Sequence, residues 1–338
     1  MTPLLVEATR GSLVESTHRV SAAVVDPDGH LLAAAGDPAH RTWWRSAAKP
    51  FQALPLLEDG AADRFGLTDE DLAIACASHS SEPAHREAVD RFMARAGIRE
   101  EWLACGPHPP LSVEVNRQLI ESRIVPSPRW SNCSGKHTGM LTLARHHGWP
   151  VAGYVDPGHP VPQRLLASIV GWTGCAPDEV ALGVDGCAAV CYGLSLTGMA
   201  RAWARLGVAA DPAARRLRGA MLAHPFLLAG TGRPCTDIMT AWPGQVLAKI
   251  GAEGVYSAAL PALGVGISLK VEDGDMRASA IALVAILEQV ANHLGVGLPR
   301  FPTQALAAWI TPALRNTRQA VTGMLRVTGE LDFSMRHA

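Results

Sequence analysis

Apolar runs with strand character lie at both ends of this 338-residue chain, and helix-like periodicity fills the stretch between them. That order constrains the fold more than any other feature. Residues 20–25 and 31–35 are apolar runs joined by Asp26-Pro27-Asp28-Gly29, whose Asp-Gly pair tolerates the positive φ of a tight hairpin. Strand character returns over 245–250, 255–260 and 265–271, the last ended by Glu272-Asp273-Gly274. Between these ends, Thr68 with Asp71 three residues on predicts a capping box and a helix to about Ala77. Ser81 is the predicted cap of the next helix, whose apolar positions Val89, Phe92, Met93 and Ala96 keep helical spacing until Gly97 stops it. Further helices are predicted over 135–147, 161–171, 195–206, 212–223 and 276–294, with Asp211 as a cap and Pro212 in the first helical position. Prolines at 107, 109, 110, 126 and 128 break the periodicity of 100–132, where no element is predicted. Strands at the ends with a helical middle predict an α+β fold. It is an antiparallel sheet of N- and C-terminal strands with packed helices, in a single domain over 1–338 whose helix-rich part, about 68–225, is inserted between sheet-forming ends.

Composition removes several function classes. The net charge is −1 and 18% of residues are charged, so neither nucleic acid nor an anionic membrane is an expected partner. The longest uncharged stretches, 186–200 and 255–269, fall short of the roughly 20 apolar residues a membrane span needs. Residues 1–10 show no basic start followed by an apolar stretch, and seven cysteines in a chain of this size favour reduced thiols, so a cytoplasmic setting is expected.

Lysine is scarce. Only Lys49, Lys136, Lys249 and Lys270 occur among 30 basic residues, and a deprotonatable amine can come only from lysine, because guanidinium keeps its proton. Ser46 and Lys49 form Ser-x-x-Lys, a spacing that puts hydroxyl and amine on one helical face. Pro50 lacks an N–H and fits best as the first helical residue, which places Ser46 and Lys49 in the turn before the helix. Lys249-Ile250-Gly251 ends an apolar strand, as does the Lys-x-Gly element that faces the nucleophile in Ser-x-x-Lys acyl hydrolases. Between them Cys76-Ala77-Ser78-His79-Ser80-Ser81-Glu82 is a hydroxyl-rich turn. The plainer alternative is that these serines are helix caps and the lysine a snorkelling side chain.

A third constellation joins Asn132-Cys133-Ser134-Gly135-Lys136-His137 to Asp185-Gly186-Cys187 and Cys191. Separated thiols beside Lys and His suggest an incomplete zinc site. By spacing alone the ligands would be Cys133, His137, Cys187 and Cys191, both pairs being i, i+4; the alternative is that all are small buried apolar residues. Cys76, Cys105, Cys175 and Cys235 show no partner spacing.

Taken together, Arg-Ser-Ala-Ala-Lys-Pro at 45–50, Ala-Ser-His-Ser at 77–80, Asn-Cys-Ser-Gly-Lys-His at 132–137, Val-Asp-Gly-Cys at 184–187 and Lys-Ile-Gly-Ala-Glu-Gly at 249–254 resemble the class 3, rhizobial-type L-asparaginases. The resemblance runs from about Val14 to Ala285. It implies a fold similar to serine β-lactamases and glutaminases, and hydrolysis of L-asparagine to L-aspartate and ammonia through a seryl acyl-enzyme. Its catalytic residues match Ser46, Lys49, Ser78 and Lys249, with Lys270 as the fallback for the second lysine. Arg45, His79, Asn132, Ser134 and Gly254 match substrate-binding positions. Its zinc ligands match Cys133, Lys136 and Cys187, with Asp185 as acidic neighbour; there Zn2+ orients the substrate or supports the structure rather than supplying the nucleophile. The resemblance also implies a homodimer. Two other readings stay open: another Ser-x-x-Lys acyl hydrolase, such as a glutaminase or a β-lactamase or peptidase relative, and a non-catalytic zinc-binding sensor.

Overall fold

The computed structural model describes residues 1–334. In chain order the strands are β1 (Leu4–Arg10), β2 (Leu13–Val25), β3 (Leu31–Ala35), β4 (Arg41–Trp43), β5 (Ala181–Val184), β6 (Val190–Ser195), β7 (Leu247–Ile250), β8 (Val255–Leu260), β9 (Val265–Val271), β10 (Ala313–Arg315) and β11 (Val321–Thr328). The chain divides into two compact units. The first comprises Met1–Ala47, Leu194–Val208 and Asp237–Ala338; the second comprises Ala48–Gly193 and Ala209–Thr236. Among the described residues no helix is long and apolar enough to cross a membrane.

The first unit is the expected antiparallel sheet. Its order is β10-β11-β1-β2-β9-β8-β7, with β3 paired to β2, so N-terminal strands lie in the middle of a sheet whose other members come from the C-terminal third. Asp26 holds the β2–β3 hairpin by accepting the N–H groups of Asp28 and His30 on Oδ1, each at 2.9 Å. β8 and β9 are buried at every position, which requires cover on both faces. Helices Leu196–Val208 and Met276–Leu294 pack on the sheet. The first approaches so closely that a Cβ on Gly266 would lie 1.9 Å from the Ala200 carbonyl oxygen.

The second unit is helical apart from β5 paired with β6. Its centre is helix Ser134–His147, buried from Ser134 through Ala144. Gly135 allows helix Asp69–Ala75 to lie against it: a Cβ there would come within 2.2 Å of the Ile74 carbonyl oxygen. The Thr68–Asp71 capping box is present at the start of Asp69–Ala75. Ser81 is not the next cap. It adopts a left-handed φ of 60°, and Glu82 precedes helix Pro83–Ala96 instead. The proline-broken stretch holds one α-helix, Val113–Glu121, capped by Ser112, between two short 3-10 turns, Glu100–Trp102 and Pro128–Trp130.

Candidate active site

Arg45–Ala48 is a 3-10 turn leading directly into helix Lys49–Ala53, so Ser46 lies in the turn, as expected, while Lys49 opens the helix and Pro50 is its second residue. The turn is anchored from behind. Trp44 is fully buried and donates its indole N–H to Ser257 Oγ at 3.1 Å, and Ser257 shares a 2.7 Å hydrogen bond with Ser268. Ser257 pairs in register with Lys249. Gly251 fits against the same turn, since a Cβ on it would lie 2.9 Å from the Trp44 carbonyl oxygen. The Lys-x-Gly strand end therefore touches the residues that introduce Ser46. Lys249 is fully buried and donates to the Ile250 carbonyl at 2.9 Å. Lys270 caps the β7–β8 turn that follows Gly251, donating to the carbonyls of Glu253 (2.6 Å) and Val271 (2.7 Å). Gly254 belongs to that turn: its N–H meets Met276 Sδ at 3.2 Å and its carbonyl accepts the Val271 N–H at 2.9 Å.

Within the second unit, most of the remaining candidates converge. Lys49 is 1% exposed, and its Nζ lies 2.5 Å from the Ala77 carbonyl, 3.0 Å from Ser78 Oγ, 3.5 Å from the Asn132 carbonyl and 3.2 Å from Cys133 Sγ. Sequence spacing pairs Lys49 with Ser46; the contact with Ser78, 29 residues away on another element, cannot be read from a motif. Ser78 sits in an extended segment pinned on both sides. Its N–H donates to the Leu228 carbonyl, Ser80 Oγ to the Ala229 carbonyl and Ser81 Oγ to the Trp130 carbonyl.

His79 is fully buried. Its Nδ1 accepts the Ser81 N–H at 3.2 Å, which places the ring proton on Nε2, 2.9 Å from Ser134 Oγ. Burial, and then the charges of His85 and Lys49, hold His79 well below the usual histidine range, so the neutral ring donates to Ser134 and leaves that hydroxyl's own proton available. Asn132 donates its N–H to His108 Nε2 at 2.8 Å. Arg233 donates to Ser80 Oγ at 3.0 Å, a contact with no sequence signal.

The thiol cluster follows directly. Lys136 Nζ donates to Cys187 Sγ at 2.9 Å. The hydrogen bond from Cys187, reinforced by the ammonium groups of Lys49 and Lys136, holds the Cys133 thiol well below its usual range, while Cys187 is pushed up by the same partnership and by burial. Burial opposes charge on Lys136, but Cys187, Cys133 and Asp185 outweigh it and raise its pKa. His137 is pushed down to about 4 by burial, and its Nε2 is a buried atom with no hydrogen-bond partner among the described residues. Two sulfurs, an amine and an unsatisfied imidazole nitrogen in one place could hold a thiophilic divalent ion. Cys191 lies within β6 opposite Gly183. Cys105, which carries no spacing signal, is buried, and that burial pushes its thiol up.

Of the six non-glycine residues with left-handed φ among the described residues, four flank these groups: Arg45 (53°) before Ser46, Ser81 (60°) after the Ser78 segment, Ala188 (67°) after Cys187, and Glu253 (57°) before Gly254. Left-handed backbone costs an L-residue about 1–2 kcal/mol, and such strain gathers at functional sites.

Among known proteins, the chain aligns over 81% of its length, and 94% of the other's, with the crystal structure of a β-lactamase from Mycobacterium bovis (13% identity, TM-score 0.35). It aligns over 87% of its length, and 64% of the other's, with Mglu in its Tris and glutamate form (19% identity, TM-score 0.37). No curated protein matches. The family model of L-asparaginase II matches residues 6–327, nearly the whole chain and every motif assembled above. The chain belongs to the L-asparaginase II family and is an amidohydrolase.

Proposed function

We propose that the protein hydrolyses L-asparagine to L-aspartate and ammonia through a seryl acyl-enzyme. Ser46 Oγ attacks the side-chain amide carbon and its proton passes to Lys49; the C–N bond then breaks as the Ser78 hydroxyl relays a proton to the departing ammonia, with Lys249 as the second amine. Water cleaves the resulting ester, releasing L-aspartate and restoring Ser46. Arg45 and His79 would receive the α-carboxylate, Asn132 and Ser134 the polar atoms beside it.

The observation that carries this reading is the buried Lys49 amine. Its Nζ is within hydrogen-bond reach of the Ala77 and Asn132 carbonyls, of Ser78 Oγ and of Cys133 Sγ, so an amine and a hydroxyl able to exchange a proton are held together away from water. The same contact set favours a second reading in which Ser78, 3.0 Å from Nζ, is the nucleophile.

Zinc fits the donor set of Cys133, Lys136 and Cys187, with Asp185 alongside, and would supply a fixed positive charge that orients the substrate. The same reading carries a homodimer in the cytoplasm, the dimer to be read by light scattering. Ammonia release from Asn, Gln and D-Asn, with and without chelator, tests reaction, specificity and metal dependence together. Ser46→Ala should abolish turnover and Ser78→Ala should slow it; an acyl adduct mapped to Ser78, or near-normal turnover by Ser46→Ala, overturns the assignment. Absence of ammonia release from all three amides sinks the substrate class.

A further inference from the structure

One arginine beside the Ser78 segment is held in place without an acid to pair with. Loop 229–233 follows helix Pro225–Leu228 and is tied to residues 80–82 by three hydrogen bonds. The Ser80 hydroxyl donates to the Ala229 carbonyl at 2.8 Å, while the Thr231 N–H and hydroxyl donate to the two carboxylate oxygens of Glu82 at 2.8 and 2.7 Å. Gly230, at φ 123°, permits this approach, since a Cβ on it would lie 2.4 Å from Glu82 Oε1 and 3.0 Å from Ser80 Oγ. The loop then turns, with the Arg233 N–H on the Gly230 carbonyl at 3.4 Å. Arg233 Nη1 donates to Ser80 Oγ at 3.0 Å. The Ser80 proton is already committed to Ala229, so its oxygen is free to accept, and this contact uses only one of the five N–H donors of a guanidinium. Glu82, the acid nearest in sequence to Ser80, is taken by Thr231, and among the described residues the Arg233 guanidinium has no ion pair.

Ser80 is 1% exposed, so Nη1 is drawn to a buried hydroxyl rather than out to solvent. Ser78 is two residues before Ser80, a separation the chain limits to about 7 Å, and Ser78 Oγ is the hydroxyl at Lys49 Nζ. A planar guanidinium with unused forked donors is the preferred partner of a carboxylate. At this spacing from the serine and amine it suits a short amino-acid amide, whose carboxylate lies a few bonds from the amide carbon. We propose that Arg233 binds the α-carboxylate of the substrate, joining the groups named above for that role, and so selects amides that carry a carboxylate over amides that lack one. The proposal rests on reading this site as the one that hydrolyses L-asparagine, and deepens that reading. Ser80 and Glu82 are then positioning residues. Ser80 aims the guanidinium, and Glu82 fixes the loop through Thr231 while leaving the arginine its charge for the ligand.

The experiment measures ammonia released by the whole protein from L-asparagine and from β-alaninamide, which is asparagine without its α-carboxylate. Arg233→Ala should lose about 10–100-fold in kcat/KM on L-asparagine, carried mainly by KM, and little on β-alaninamide. Arg233→Lys, which keeps the charge but not the fork, should recover part of the loss. Wild type should itself prefer L-asparagine to β-alaninamide by at least that factor. Calorimetry with L-aspartate should show binding weakened to the same extent in Arg233→Ala, and decides the matter where β-alaninamide turns over too slowly to read. Equal losses on both amides would make Arg233 merely structural and overturn the proposal. An Arg233→Ala protein that matches wild type in L-asparagine hydrolysis and L-aspartate binding overturns it as well, with the reaction left standing. Wild type that binds L-aspartate through Arg233 but releases no ammonia fails the reaction and keeps the carboxylate site; neither binding nor release overturns both.

Discussion

Gly135→Ala puts a methyl group 2.2 Å from the Ile74 carbonyl oxygen and 2.7 Å from its carbon. Both are backbone atoms, so no side chain can rotate aside. Restoring van der Waals contact requires helix Ser134–His147 to withdraw by about 1 Å. The substitution should gain about 1 kcal/mol in helix propensity and lose about 1–3 kcal/mol, or more, to overpacking. Gly171 supplies the control: it sits in helix Pro160–Thr173, where an added methyl would meet nothing within 4 Å, so its alanine variant keeps the gain without the clash. At this chain length roughly 2 °C of melting temperature corresponds to 1 kcal/mol, so differential scanning fluorimetry should place the two variants on opposite sides of the wild type. The same helix carries Ser134, Lys136 and His137, and a shift of about 1 Å at a reacting centre costs on the order of 100-fold in rate. Gly135→Ala should therefore lose kcat/KM well beyond its loss of folded protein. If it melts with or above Gly171→Ala, the claim that Gly135 is required for close packing is wrong.

Three further outcomes follow from the geometry. Lys136 is held protonated by Cys187, Cys133 and Asp185 against the opposing effect of burial, and Cys187 is held as a thiol; both must lose protons to bind a metal. Metal affinity should then rise with pH by about two decades per unit, and competition titrations showing no change between pH 6 and 8 would contradict that ligand set. Burial disfavours charge on Asp59, but hydrogen bonds from Arg164 and His147 outweigh it and hold its carboxyl below the usual range. A depressed carboxylate stabilises the fold above its unfolded pKa of about 4 and loses that contribution as pH falls through the folded value. Urea titration should accordingly find Asp59→Asn less stable than wild type at pH 7 and equal to it in acid. Thr68→Ala, which breaks the capping box, should cost about 1 kcal/mol by the same titration; an unchanged midpoint would count against it.

Some elements are legible in the sequence because their signal is local. Helix Met276–Leu294 and strands β8 and β9 have the expected bounds, since each is mostly apolar and closed by turn residues. β1 gives no such signal: its partners are β2 and the distant β11, and its register depends on a pairing some 300 residues away that no window of sequence contains. Helix Val113–Glu121 is hidden by the prolines around it. At the site, Gly251 lies against Trp44, the residue before the turn that carries Ser46. Lys49 on Ser78 and on Cys133, Arg233 on Ser80, and Tyr154 on His137 link separate elements. Spacing rules describe neighbours on one helix or strand, so such contacts lie outside them.

The four left-handed residues beside the site bear on how this enzyme would respond to selection for robustness. Each is a place where glycine would relieve backbone strain of about 1–2 kcal/mol, so a library screened for heat resistance alone would be drawn to Arg45, Ser81, Ala188 and Glu253. Those substitutions would also slacken the four joints that aim Ser46, the Ser78 segment, Cys187 and the turn after Lys249. Heat tolerance and turnover should therefore trade against each other at these positions more sharply than at Arg123 or Gln319, the two left-handed residues that flank none of these groups.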